Sequence, residues 1–152
     1  MNGKIENLKN SVASQSLAKQ KELNETNSTK LLKIAFVLGA VTDFLAIFPM
    51  LFPPLAKIMW GFKSFGGDYF FAMGCGAAFM TAWTLLLIWA YKKPLERKAV
   101  ALLTVVVILG FVATELYCVA SGVISPVKMI VSWSMQTVLC ALLILGYLGA
   151  KN

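Results

Sequence analysis

Tyr91-Lys92-Lys93-Pro94-Leu95-Glu96-Arg97-Lys98 is the one strongly charged break between long apolar runs. Outward from it lie four such runs, at about residues 31–52, 69–90, 99–120 and 127–148. Each reaches the ~20 residues that an α-helix needs to cross ~30 Å of hydrocarbon. The runs are continuous, without the apolar/polar alternation of a membrane barrel strand. Only a helix satisfies its own backbone in lipid as an open segment. The expected fold is therefore all-α: an integral membrane four-helix bundle, up-down-up-down, preceded by a polar tail over residues 1–30.

Composition agrees. Of 152 residues, 59% are hydrophobic and only 14% charged, and the mean hydropathy is +0.74. A soluble domain of this length needs more charge to cover its surface. The net charge of +7 could suggest nucleic acid, but topology accounts for it better. If both termini and the 91–98 turn share one side, that side carries the whole excess; on the other, Lys57, Lys63 and Lys128 balance Asp43, Asp68 and Glu115. This is the positive-inside pattern, so the termini are expected in the cytoplasm, the protein in the cell membrane, and no nucleic-acid partner.

The chain has no histidine, which argues against histidine-based catalysis, haem ligation by histidine and zinc. Cys75, Cys118 and Cys140 lie inside the expected spans without metal-ligand spacing and read as small apolar filler. Neither a metal nor a cofactor is expected.

Residues 1–30 do not read as a signal peptide, because their charged region is too long and no short apolar core with a cleavage site follows. Ile5, Leu8 and Val12 give a weak helical stripe that would suit the inner leaflet; disorder is the alternative. In the first span Gly39, Ala40, Asp43 and Ala46 share one arc, so Asp43 is expected to face a neighbouring helix rather than lipid. Phe48-Pro49 should bend or end this span and Pro53-Pro54 stop it.

The following segment places Leu55, Ile58, Met59 and Phe62 at i, i+3, i+4 and i+7, the pattern of a short interfacial helix between spans one and two. Gly66-Gly67 should turn the chain, with Asp68 capping the next helix. In span two, Ala72/Gly76 and Gly74/Ala78 are small-xxx-small pairs suited to close helix packing, within the chain or in a homo-oligomer. Trp89 is placed to anchor at the inner interface.

Polar groups inside the spans gather toward the outer side. Counted at ~1.5 Å per residue, Asp43 lies about 12 Å, Glu115 about 8 Å and Gln136 about 14 Å from the outer ends of their helices. Lys128, Ser132 and Gln136 form a stripe at i, i+4 and i+8 on the fourth span. These five residues are the candidate site, a polar pocket reached from outside, with Thr42, Thr114, Tyr69 and Tyr117 as further donors. Acids within a bilayer mark ion pathways, proton relays and ligand sites. A purely structural use of the cluster is also open, with Lys128 reaching down to pair with Glu115 or Asp43.

The expected function is ligand binding or proton-coupled transport, with Asp43 as counter-ion, Glu115 as second carboxylate, Gln136 orienting, and a small or lipid-like ligand. Four spans carrying intramembrane acids resemble, in architecture alone, the EXPERA group of sterol isomerases and lipid-binding proteins. That resemblance would imply an intramembrane enzyme acting on a lipid-like substrate, with the carboxyl pair moving a proton. The sequence matches no motif of the group, and a structural or accessory subunit is the third alternative.

Overall fold

The computed structural model describes the backbone of residues 2–62 and 64–150, and the side chains of residues 14–62 and 64–150. Helix α1 spans Asn2–Leu51, α2 Pro53–Met59, α3 Gly67–Lys92, α4 Ala99–Ala120 and α5 Pro126–Gly149. Four of the five are long and apolar enough to cross a bilayer: Ser14–Leu51 within α1, and the whole of α3, α4 and α5. The protein is an all-α four-helix bundle with the short α2 between its first two spans.

Helix α1 is the hub. It packs along both α3 and α5, while α4 lies mainly against α5 and touches α3 little. The reason is written along α1. Ser28, Leu32, Ala35, Phe36, Gly39 and Ala40 recur at helical spacing and are all buried. A β-carbon at Gly39 would sit 3.0 Å from Leu87 of α3 and 3.6 Å from Leu139 of α5. That glycine therefore marks where three backbones converge. Toward the termini, Gly146 of α5 lies against Leu32, where an added β-carbon would be 2.9 Å from the Leu32 Cγ. On the α3–α4 side, Trp83 Nε1 donates to Thr104 Oγ1 at 3.4 Å, and Thr104 in turn donates to the Val100 carbonyl.

Several expectations need correction. Residues 2–30 are helical and run into the first span without a break, as the first part of α1. Phe48-Pro49 does not end the span, since Pro49 lies inside the helix, fully buried, and the helix runs on to Leu51. Proline removes one donor and frees a carbonyl. Pro49 is packed within the bundle, and its own carbonyl, in the last turn of α1 where intrahelical donors run out, accepts from Tyr69 Oη at 3.1 Å. Helix α2 stops at Met59, so Phe62 falls outside it. Phe62 instead joins a run of ring contacts from Trp60 through Tyr69 to Phe65 and Phe70, with centroids 4.9 to 5.9 Å apart. Asp68 is not the cap of α3, because the cap position is Gly66; Asp68 sits in the first turn, where its charge still favours the helix dipole.

The small residues of α3 are mostly unused within the chain. Ala72 and Ala78 are exposed, and open space surrounds the α-carbon of Gly74. Gly76 lies against Met50, and Ala77 and Ala90 are buried. The cysteines are free: Cys118 and Cys140 are half-buried, whereas Cys75 is exposed.

Candidate functional site

The seam of α5 runs Met129, Ser132, Gln136, Leu139, Leu143 and Gly146, alternating steps of three and four residues. That spacing keeps all six on one face. The lower members are buried and apolar; one or two turns further out the same face presents Ser132 and Gln136, both half-buried. Opposite them, α4 presents Glu115.

These three side chains form one cluster. Ser132 Oγ donates to Glu115 Oε1 at 2.7 Å, and Gln136 Nε2 donates to the same oxygen at 3.1 Å. Gln136 Nε2 also lies 3.2 Å from Ser132 Oγ, which accepts from it. The 2.7 Å contact is the usual length of an O–H···O bond.

The cluster is incomplete. Glu115 Oε2 and Gln136 Oε1 are buried acceptors that receive no hydrogen bond, and Trp133 Nε1, on the same turn of α5, is a buried donor with no acceptor. A buried polar atom without a partner costs about 1–3 kcal/mol, so two unmet acceptors on hydrogen-bonded residues point to a missing donor. Neither oxygen has appreciable surface open to solvent. The expected open polar pocket is therefore a closed cluster.

Lys128 does not supply the missing charge. Its Nζ turns away from the cluster and donates to the Ile58 carbonyl at 2.9 Å and the Lys57 carbonyl at 3.4 Å. Those carbonyls end α2, and the last carbonyls of any helix lack intrahelical donors. Gly61, with φ of +80°, lets the backbone pass beside this lysine, since a β-carbon there would lie 3.2 Å from Lys128 Nζ. The expected pairing of Lys128 with Glu115 or Asp43 is absent. Among the described residues the ion pair is Lys93 with Glu96, in the 91–98 turn.

Asp43 stands apart. It is half-buried on the inward arc of α1 and makes no hydrogen bond or ion pair among the described residues. Register nevertheless places it near the cluster's level. Gly39 meets Leu139, and α1 and α5 run in opposite directions. One turn outward from that contact reaches Asp43 on α1 and Gln136 on α5. The other expected donors are engaged elsewhere. Thr42 and Thr114 donate to carbonyls one turn back, of Leu38 and Gly110. Tyr69 is bonded to Pro49, and Tyr117 is 71% exposed.

Fold and cluster together define a multi-pass membrane protein with a buried carboxylate-amide-hydroxyl site between its last two spans. In comparisons with known proteins, the chain matches no family model, no curated protein and no solved structure.

Proposed function

We propose that this multi-pass membrane protein is of the proton-coupled transport type and that Glu115 carries the proton. The supporting observation is the tally of unmet atoms. Gln136 Nε2 already donates to Glu115 Oε1, while Glu115 Oε2 and Gln136 Oε1 each lack a donor. One proton on Oε2 would turn that oxygen into a donor, with the Gln136 carbonyl as its acceptor. A single O–H bond between the two would resolve both deficits. A proton needs no cavity, which suits oxygens without open surface.

Ser132 orients the carboxyl by holding Oε1. Asp43, one helix away at a similar level, is the next carboxylate on a path across the bundle. With the termini in the cytoplasm, the cluster exchanges with the outer side. Proton relays built from intramembrane acids are a recurrent use of such residues.

Glu115→Gln tests this, because the new amide copies the protonated acid's donor without being able to release it. In reconstituted vesicles under an imposed pH gradient, wild-type flux is expected to exceed empty vesicles and the variant to match them. Infrared difference spectra should contain a protonated-carboxyl band that the variant lacks. If flux and band are unchanged in Glu115→Gln, the proposal fails. If thermal stability alone moves, the cluster is only a tie between α4 and α5.

A further inference from the structure

A groove of about 430 Å³ runs between α1 and α3, with no lining residue from the Glu115 cluster. Val37, Ala40, Val41 and Phe44 of α1 form one wall, and Thr84 and Ile88 of α3 the other. Its surface is wholly apolar, because Thr84 contributes only carbon and its hydroxyl oxygen is buried. Volumes of roughly 300–1,000 Å³ are typical of sites that hold small molecules.

The groove has a direction. From Phe36 to Leu45 it follows α1 for about 14 Å, close to the ~15 Å that one leaflet of a ~30 Å hydrocarbon core provides. One end lies at Leu45, beyond the middle of the first span. The other ends at Tyr91, at the edge of the 91–98 turn. There Lys33 Nζ sits 5.7 Å from the Tyr91 ring centroid. Lys30, one turn further along the stripe of Val37 and Val41, is exposed. Glu96, an acid of that turn, is held by Lys93. An apolar slot one leaflet long, opening onto two lysines and a phenol, has the chemistry of a phospholipid: acyl chain in the slot, phosphate at the lysines.

We infer that this groove is a binding site for an anionic glycerophospholipid of the leaflet on the Lys92–Lys98 side. It is independent of the proton site. Lys30 and Lys33 select the headgroup charge, the Tyr91 hydroxyl is a further donor to phosphate, and Val41 and Ile88 hold the chain.

Native mass spectrometry of the full-length protein in detergent tests the site, with phosphatidylglycerol and phosphatidylcholine of identical acyl chains as probes. Wild type is expected to bind phosphatidylglycerol about tenfold or more tightly, as two lysines at a headgroup imply. Val41→Trp fills the slot from its half-exposed side without entering the core and should weaken phosphatidylglycerol binding about tenfold, with unfolding temperature unchanged. The double variant Lys30→Gln/Lys33→Gln should bind the two lipids equally. Equal binding by wild type, an unaffected Val41→Trp, or a preference that survives in the lysine variant each overturns the assignment. The last of these would move the preference to the 91–98 turn.

Discussion

Gly146 and Gly110 together test how the bundle is held. Both are glycines inside membrane-spanning helices, and both gain up to ~1 kcal/mol of helix propensity on replacement by alanine. Their surroundings differ. At Gly110 nothing lies within 4 Å of an added β-carbon. At Gly146 the same atom would sit 2.9 Å from Leu32 Cγ, 3.0 Å from Cδ2 and 3.2 Å from the Leu32 backbone nitrogen. The Cγ is not the free end of a side chain, and a backbone nitrogen cannot yield without moving α1. Overpacking of this kind costs typically 1–3 kcal/mol. Gly110→Ala is therefore expected to be neutral or stabilising, and Gly146→Ala to fall about 1–3 kcal/mol below it. At ~2–4 °C per kcal/mol for chains of about this size, the two should separate clearly in thermal unfolding followed by tryptophan fluorescence in detergent. Coincident unfolding curves would refute a tight α1–α5 approach at Leu32, and with it the register that sets Asp43 level with Gln136.

Two further substitutions probe the outer half. Ser132→Ala removes the 2.7 Å bond to Glu115 and should cost about 0.6 kcal/mol, with ~1.7 as the upper range for interhelical bonds in membranes; an unchanged unfolding temperature would mean that Ser132 does not hold the carboxyl. Lys128→Met strips the donor from the α2 carbonyls and should cost about 0.3–1 kcal/mol. Its clearer signature is faster amide exchange across residues 53–60, and exchange rates equal to wild type would show that the lysine does not clasp α2.

The spans were legible because lipid leaves the chain few options. Runs such as 99–120 and 127–148 are long, apolar and uncharged at their centres, and their observed ends fall within two residues of those bounds. Where water competes, reading was harder. The helix continuing from Asn2 into the first span carries polar residues with only a weak stripe, so nothing local separated helix from tail. Pro49 reads as bending or ending the first span, and the helix runs past it to Leu51. The Ser132–Gln136 stripe and Glu115 were visible as polar residues at matching depth, and the structure brings those three together. The direction of Lys128 was not visible. Its long side chain reaches either way, and the choice was made by the loose carbonyls of α2, which exist only once that helix has formed.

The cations at the helix ends bear on orientation as well. Lys128 serves the carbonyls of α2; on the opposite side, Arg97 lies 3.6 Å from the Trp89 ring centroid and donates to the Trp89 carbonyl in the last turn of α3. Lys98 Nζ donates to the Ala150 carbonyl, just past the end of α5, at 3.0 Å. Helix C-termini carry partial negative charge and unmet carbonyls, so a cation there is stabilised wherever the membrane lies. In this antiparallel bundle α3 and α5 both end on the side of the 91–98 turn, and that side would draw two cations even without any topological bias. Arg97 and Lys98 meet that need. Lys33 joins them there, its Nζ 5.7 Å from the ring centroid of Tyr91 in the last turn of α3. Part of the cation excess on that side is therefore what the helix ends themselves require, before any orientation is assigned.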